Sequence, residues 1–128
     1  IVLEFEQAAN KYIDTDKLVT FDYFFTRKTM FMRYAQGFIV FPGGFGTFDE
    51  LFEAITLIQT KKIAKFPIIL YGSKFWKGLF EWVKESVLDG EHNISEKDLE
   101  IYNIVDSPEE AVKIIEDFYR NYEHKPNF

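Results

Sequence analysis

A glycine-rich junction in the first half of the chain constrains the fold more than any other feature. Residues 38–41 are all apolar, as in parallel strands that are covered on both faces. The strand is ended by Pro42 and by the three glycines Gly43, Gly44 and Gly46. Apolar residues then recur at helical spacing from 47 to about 61. A strand, a glycine loop and a helix N-terminus present backbone N–H groups and the positive end of a helix dipole to an anion, so the junction predicts a phosphate site.

The acidic residues after the loop suggest which phosphate it binds. The loop lacks the Gly-Lys-Ser/Thr ending of nucleoside triphosphatases, and its third glycine is misplaced for a dinucleotide fingerprint. Asp49 and Glu50 are expected in the first helical turn, where Glu50 would reach the hydroxyl groups of a ribose 5′-phosphate. The alternative is structural, because Thr47 and Glu50 also have the spacing of a capping box. Three glycines in four residues favour a ligand, since they leave room for it to touch the backbone.

The rest of the chain alternates between strand and helix patterns. Strands are predicted at 1–5, 18–21, 38–41, 66–71 and 101–105, and helices at 23–35, 47–61, 75–88 and after 107. The last helix should have Ser107 as N-cap, Pro108 at its first position and Glu110 closing a capping box. This order predicts an α/β protein with a mostly parallel sheet and helices on both faces.

Length and composition limit the classes of function. The 128 residues predict a single domain, 1–128, and a net charge of −6 disfavours binding to nucleic acid. Cysteine is absent and no apolar run reaches the roughly 20 residues that span a bilayer, so we expect no membrane association and a cytoplasmic location. His92 and His124 have no third ligand nearby, so no metal site is expected. The chain opens directly on a strand pattern without Met, which suggests that an N-terminal portion is missing.

A second candidate group lies on the helix before the glycine loop. Phe24, Arg27, Phe31 and Tyr34 share one helical face. A guanidinium among aromatic rings either reaches the surface to form a salt bridge or holds an anion. The position of Arg27 just ahead of the phosphate loop favours a role in the site for this residue, and Lys28 is a weaker candidate.

These residues resemble the LOG (Lonely Guy) family of nucleotide 5′-monophosphate phosphoribohydrolases, formerly labelled possible lysine decarboxylases. The resemblance rests on the pair Arg27-Lys28 and on the run Phe41-Pro-Gly-Gly-Phe-Gly-Thr-Phe-Asp-Glu50, and it extends along the whole chain. It implies a Rossmann-like, doubly wound fold that cleaves the N-glycosidic bond of AMP or of a cytokinin riboside monophosphate. Members normally have an earlier strand and another glycine-rich turn, which this chain lacks, and they begin the helix motif with Met-His where Phe24 and Phe25 stand here.

The resemblance also implies roles for individual residues. The phosphate would be held by Gly43, Gly44, Gly46 and Thr47, the catalytic pair would be Arg27 and Glu50, and Lys28 and Glu53 would be further substrate-binding or supporting candidates. No cofactor is expected, since no signature of a pyridoxal enzyme is visible. A homodimer is expected from the family and from aromatic residues that exceed what a small core can bury, such as Phe75, Trp76, Phe80 and Trp82.

One alternative belongs to another class of function. A non-catalytic nucleotide binder or molybdenum-cofactor carrier would share this fold and glycine loop. Arg27, Lys28 and Glu50 favour the hydrolase, because a carrier needs no carboxylate beside a sugar.

Overall fold

A computed structural model describes residues 11–120 of the chain, so the predicted strand at 1–5 lies outside the described residues. Within these residues, four α-helices and three strands alternate. The helices are α1 (Phe24–Tyr34), α2 (Phe45–Gln59), α3 (Ser73–Trp82) and α4 (Pro108–Tyr119), and the strands are β1 (Phe38–Val40), β2 (Ile68–Tyr71) and β3 (Tyr102–Val105). Short 3-10 helices span Thr15–Lys17 and Glu96–Glu100, and a π-helical segment, Val83–Gly90, continues α3.

The strands form a parallel sheet in the order β1-β2-β3. Ile69 on β2 is aligned with Ile39 on β1 and with Asn103 on β3. The apolar side chains of the central strand, Ile68, Ile69 and Leu70, are completely buried. Because all strands run the same way, their carboxyl ends meet at one edge, where ligands bind in open α/β sheets.

The core lies on both faces of this sheet, as the alternating pattern predicted. Ile68 and Leu70 pack into the larger cluster, with Leu51 of α2 and with Trp76 and Phe80 of α3. Because side chains alternate along a strand, Ile69 faces the other side. There it packs with Val105 and with Ala111 of α4. The architecture is therefore a Rossmann-like α/β fold with helices on both faces.

Two of the predicted strands differ from the structure. No strand forms at 18–21, where the chain runs without regular structure and Leu18 and Val19 are exposed. A short apolar run gains little from strand geometry without neighbours to pair with and pack against. β1 was predicted to be buried on both faces, but Ile39 is 44% exposed. In the described part of the chain β1 is an edge strand, so one face of it lacks cover.

The helices agree more closely with the predictions. Ser107 caps α4, since its hydroxyl accepts a hydrogen bond from the Glu110 amide at 3.2 Å, and Pro108 takes the first position. In the predicted capping box, the Glu110 carboxylate would accept a hydrogen bond from the amide of the N-cap residue Ser107. It accepts one from the Asp106 amide instead, at 3.1 Å.

The aromatic residues divide between core and surface. Trp76 and Phe80 are buried, so the expectation that they exceed the core was wrong for these two, whereas Phe75 and Trp82 are exposed. The rings of Trp76 on α3 and Phe48 on α2 pack at right angles with centroids 5.7 Å apart, which joins the two helices. Within residues 11–120, no helix is both long and apolar enough to cross a membrane.

Candidate functional site

Three helices begin at the carboxyl edge of the sheet, and they differ in which groups accept hydrogen bonds from their first backbone amides. The Ser73 amide of α3 donates to the Asp106 carboxylate at 2.8 Å, and α4 is capped by Ser107. The cap of α2 is Gly44, which has no side chain, and no side-chain cap bond is formed there. Since the first amides of a helix lack partners within it, the start of α2 is the place at this edge that suits an external anion.

The glycines at the start of α2 border open space. A Cβ atom added to Gly44 or to Gly46 would meet nothing within 4 Å. Neither residue has a positive φ angle, so neither is required by the backbone conformation. A glycine without a structural demand is consistent with the predicted close approach of a ligand. Gly43 is different, because its Cβ would lie 2.1 Å from the Thr47 hydroxyl oxygen.

The capping box predicted for Thr47 and Glu50 does not form. Helix α2 begins two residues earlier than predicted, at Phe45, because Gly44 adopts the extended cap conformation and its carbonyl accepts from the Thr47 and Phe48 amides. Thr47 therefore lies inside the first turn, and Glu50 lies beyond it. This removes the structural role that the sequence allowed for Glu50.

Glu50 faces a cavity beside the glycine loop. The cavity, of about 430 Å³, lies between α1, β1 and α2 and is lined by Gly46, Thr47 and Glu50, with apolar walls from Phe31, Phe41 and β1. One oxygen of the Glu50 carboxylate, Oε2, is buried without a hydrogen-bond partner in the described structure. The structure thus brings part of the predicted phosphate loop and the predicted catalytic acid to one cavity.

Lys28 lies elsewhere. Its ammonium is 2.8 Å from Asp49 Oδ2, 2.5 Å from Glu53 Oε2 and 3.8 Å from Glu50 Oε1. The Lys28 side chain is 19% exposed, and together with Asp49 and Glu53 it lines a second cleft beside α2. The hydrogen bonds that the Lys28 ammonium donates to Asp49 and then to Glu53 raise the pKa of Lys28 further above its usual range, so it stays charged.

The environment of Glu50 favours its protonated form more than water does. Burial is the main cause that raises the pKa of Glu50, and the nearby charge of Lys28 opposes this most strongly. Glu53 and Asp49 raise the same pKa, and Arg27 lowers it. The charge of Glu50 is therefore set by its burial together with four neighbouring ionised groups.

Arg27 is exposed on α1, and its charge acts on Glu50 across the gap between the two helices. Phe31 and Tyr34 on the same helical face are exposed as well, and Phe31 stacks on Phe38 with ring centroids 4.9 Å apart. Arg27 therefore acts on Glu50 through its charge from an exposed position, and it is not among the residues that line the cavity.

Sequence reasoning missed Asp49 as a partner in the site. Asp49, Glu50 and Glu53 place three negative charges within little more than one turn of α2, and like charges four residues apart destabilise a helix. That spacing was a signal that a cation must lie nearby. Phe31 and Phe41 were missed as cavity walls, because only the packing of α1 against β1 brings them to the cavity.

The fold and the glycine loop define an α/β protein of the Rossmann-like class. Comparison with known proteins supports a closer assignment. The family model described as "Possible lysine decarboxylase" matches residues 1–115. The chain belongs to this family, which is the LOG family that its glycine motif resembles.

Several characterised relatives are similar to this chain. Cytokinin riboside 5′-monophosphate phosphoribohydrolase LOG1 of Arabidopsis thaliana is 31% identical over 97 residues, which cover 76% of this chain and 45% of that protein. LOG2 of the same plant is 34% identical over 74 residues, covering 58% and 35%. The enzyme of that name from Mycobacterium tuberculosis is 46% identical over 43 residues, covering 34% and 23%. The aligned part of the chain thus spans less than half the length of each of these relatives.

Proposed function

We propose that this chain acts as a nucleoside 5′-monophosphate phosphoribohydrolase. It would hydrolyse the N-glycosidic bond of AMP or of a cytokinin riboside monophosphate and release the free base and ribose 5-phosphate. The observation that carries the proposal is the single cavity lined by Gly46 and Thr47 at the start of α2 and by Glu50 one turn further on. The names of the relatives supply the reaction class.

The spacing along α2 suits a ribose 5′-phosphate. Gly46 and Glu50 are four residues apart, which is about 6 Å along a helix axis. A phosphate on the amides of Gly44 to Gly46 would therefore leave the ribose beside Glu50. Arg27, whose charge acts on Glu50 from an exposed position on α1, would anchor the phosphate or polarise the leaving base.

The proposed chemistry places Glu50 next to the positive charge that develops on the sugar. As the C1′–N bond breaks, its electron pair goes to the base and the sugar becomes oxocarbenium-like, which a carboxylate stabilises. The oxygen of a water molecule then bonds to C1′, and the proton that it loses passes to the departing base. Glu50 orients this water and must be ionised to act, so activity falls as the pH drops through its raised pKa.

Incubation of the chain with AMP or with isopentenyladenine riboside monophosphate tests the proposal. We expect chromatography to detect the free base and ribose 5-phosphate in equal amounts. Replacement of Glu50 by Gln should lower kcat by about 10²-fold or more while the variant still binds AMP. If the wild-type chain binds AMP and releases no base, the carrier alternative is correct; an undiminished rate in the Glu50→Gln variant would remove Glu50 from the mechanism.

A further inference from the structure

We propose that Lys28 is a positioning residue that acts through Glu50, and that it does not bind the nucleotide. By neutralising Asp49 and Glu53, its ammonium keeps the adjacent Glu50 ionised and turned toward the cavity. This inference rests on the proposed function for the role of Glu50, but the ion cluster itself is independent of it.

The location of Lys28 argues against contact with the substrate. Gly46, Thr47 and Glu50 line the 430 Å³ cavity, whereas Lys28, Asp49 and Glu53 line the second cleft, together with apolar side chains such as Phe48 and Phe52. Of the residues that line the cavity, Glu50 forms an ion pair with Lys28, with Oε1 3.8 Å from the ammonium. A nucleotide beside the glycines would therefore meet Glu50 rather than the ammonium.

Charge leads to the same conclusion. An ammonium has three donors, and Lys28 already faces carboxylates at 2.8 Å and 2.5 Å. The cluster of one cation and three carboxylates is net negative, so a phosphate would be repelled from it. Arg27 on the same helix is exposed and is the better placed cation for an anion.

The need for the cation follows from the spacing on α2. Asp49 and Glu53 are four residues apart and Glu50 precedes Glu53 by three, so the Glu53 carboxylate is a helical neighbour of both other carboxylates and repels them. The charged groups that act on Glu50 are Lys28 and Arg27 from α1 and Asp49 and Glu53 from its own helix, whereas β1 contributes apolar residues. Without Lys28, two unneutralised carboxylates would favour a protonated Glu50 that cannot stabilise the sugar cation.

The test compares pH profiles of kcat for variants of the full chain. In Lys28→Met we expect the midpoint of the acid limb of the kcat profile to rise by about 0.5–1 pH unit, a small shift for the loss of a nearby opposite charge. The KM for AMP should change less than about twofold. Lys28→Arg should restore the midpoint.

The double variant Asp49→Asn with Glu53→Gln should move the midpoint the opposite way, downward, because it removes two negative charges. Lys77→Met, which breaks an exposed pair with Glu81, is the matched control and should change nothing.

Direct titration of Glu50 separates this inference from the proposed function. The carbon-13 signal of the Glu50 carboxyl, followed by NMR across pH, should show the same upward shift in Lys28→Met and the same downward shift in the double variant, whether or not the chain hydrolyses AMP. If the Glu50 titration is unchanged in the soluble variants, Lys28 does not act through Glu50 and the inference is wrong. If KM rises about tenfold with a fixed midpoint, Lys28 binds substrate and the inference is wrong as well. If wild-type chain is inactive but Glu50 shifts as expected, the proposed function fails and the inference stands.

Discussion

At the scale of single residues, the start of α2 separates glycines that the fold requires from glycines that it does not. Gly43 lies against Thr47, whereas Gly44 and Gly46 border open space. A ligand on the backbone of this turn would account for the second pair, since no internal contact in the described structure does. Replacing each kind of glycine by alanine should therefore have different effects.

For Gly46→Ala we expect opposite effects on stability and on binding. Alanine favours a helix over glycine by up to about 1 kcal/mol, so the Tm should rise. The new Cβ would fill the space above the first turn, so the Kd for AMP should weaken by roughly tenfold, or about 1.4 kcal/mol. Calorimetry and thermal unfolding measure both. Gly43→Ala is the contrast: its Cβ would lie 2.1 Å from the Thr47 oxygen, so it should lower the Tm. An unchanged Kd in Gly46→Ala would mean that the phosphate binds elsewhere.

Glu50 should also limit stability at neutral pH. Burial raises its pKa, so the folded chain binds the proton more tightly than the unfolded chain does. The stability that Glu50 contributes is therefore present at low pH and is lost as the pH rises through the raised pKa. We expect Glu50→Gln to have a higher Tm than wild type at about pH 7 and an equal Tm at about pH 4. Circular dichroism at both pH values measures this, with the exposed Glu91→Gln as control; an equal Tm at both would contradict it.

At the scale of elements, Asp98 connects the 3-10 helix Glu96–Glu100 to α2. One oxygen of its carboxylate accepts from the Ser95 amide at 2.7 Å, the Ser95 hydroxyl at 2.9 Å and the Gln59 side chain at 3.0 Å. The bond from the Ser95 amide is the main cause that lowers the pKa of Asp98. This carboxylate therefore fixes the segment before β3 against the helix that carries Glu50.

Replacing Asp98 by Ala should cost about 1–2 kcal/mol of unfolding free energy at neutral pH, as the loss of a cap and a hydrogen bond does. Because the folded pKa is lowered, this stability is present above the unfolded pKa of Asp98 and is lost as the pH falls through the folded value. Urea titrations should thus show a difference from wild type that shrinks in acid. Asp89→Ala, at an exposed position, is the control; a difference that does not depend on pH would assign the effect to packing.

The elements also differ in how far the sequence predicts them. α1, α2, β2, β3 and the Ser107 cap of α4 were predicted within one to two residues at most ends, because periodicity and capping are encoded by neighbours along the chain. The strand predicted at 18–21 failed, and β1 proved half-covered, because pairing and burial depend on distant segments. The start of α2 was misplaced because Gly44 caps it in the place of Thr47.

At the scale of the whole molecule, the two faces of the sheet are not equally covered. Ile69 is completely buried under α4, but its register partner Ile39, on the same side of the sheet, is 44% exposed. The chain also spans less than half the length of relatives such as LOG1. The homodimer expected from the family stays a prediction, which sedimentation would test.

The contrast between the two isoleucines gives a prediction for global stability. Ile69→Ala should lower the unfolding free energy by about 2–5 kcal/mol, as for other fully buried aliphatic residues. Ile39→Ala should cost less than about 1 kcal/mol in this chain, since its side chain already meets solvent. Urea unfolding measures both. Equal costs for the two variants would mean that β1 is covered in solution, for example by a second copy of the chain.

The sequence alone determined the strand, glycine loop and helix and the alternating order of elements, whereas the catalytic pair Arg27 and Glu50 stays a prediction. The elements and their order are carried by spacing over a few residues, which acts before the chain is folded. Tertiary structure alone decided that Lys28 pairs with Asp49, 21 positions away, that Glu50 rather than Lys28 faces the cavity, and that α2 starts without a side-chain cap. Those features arise when helices from separate parts of the chain pack together, because only then do their charges come within a few ångströms of one another.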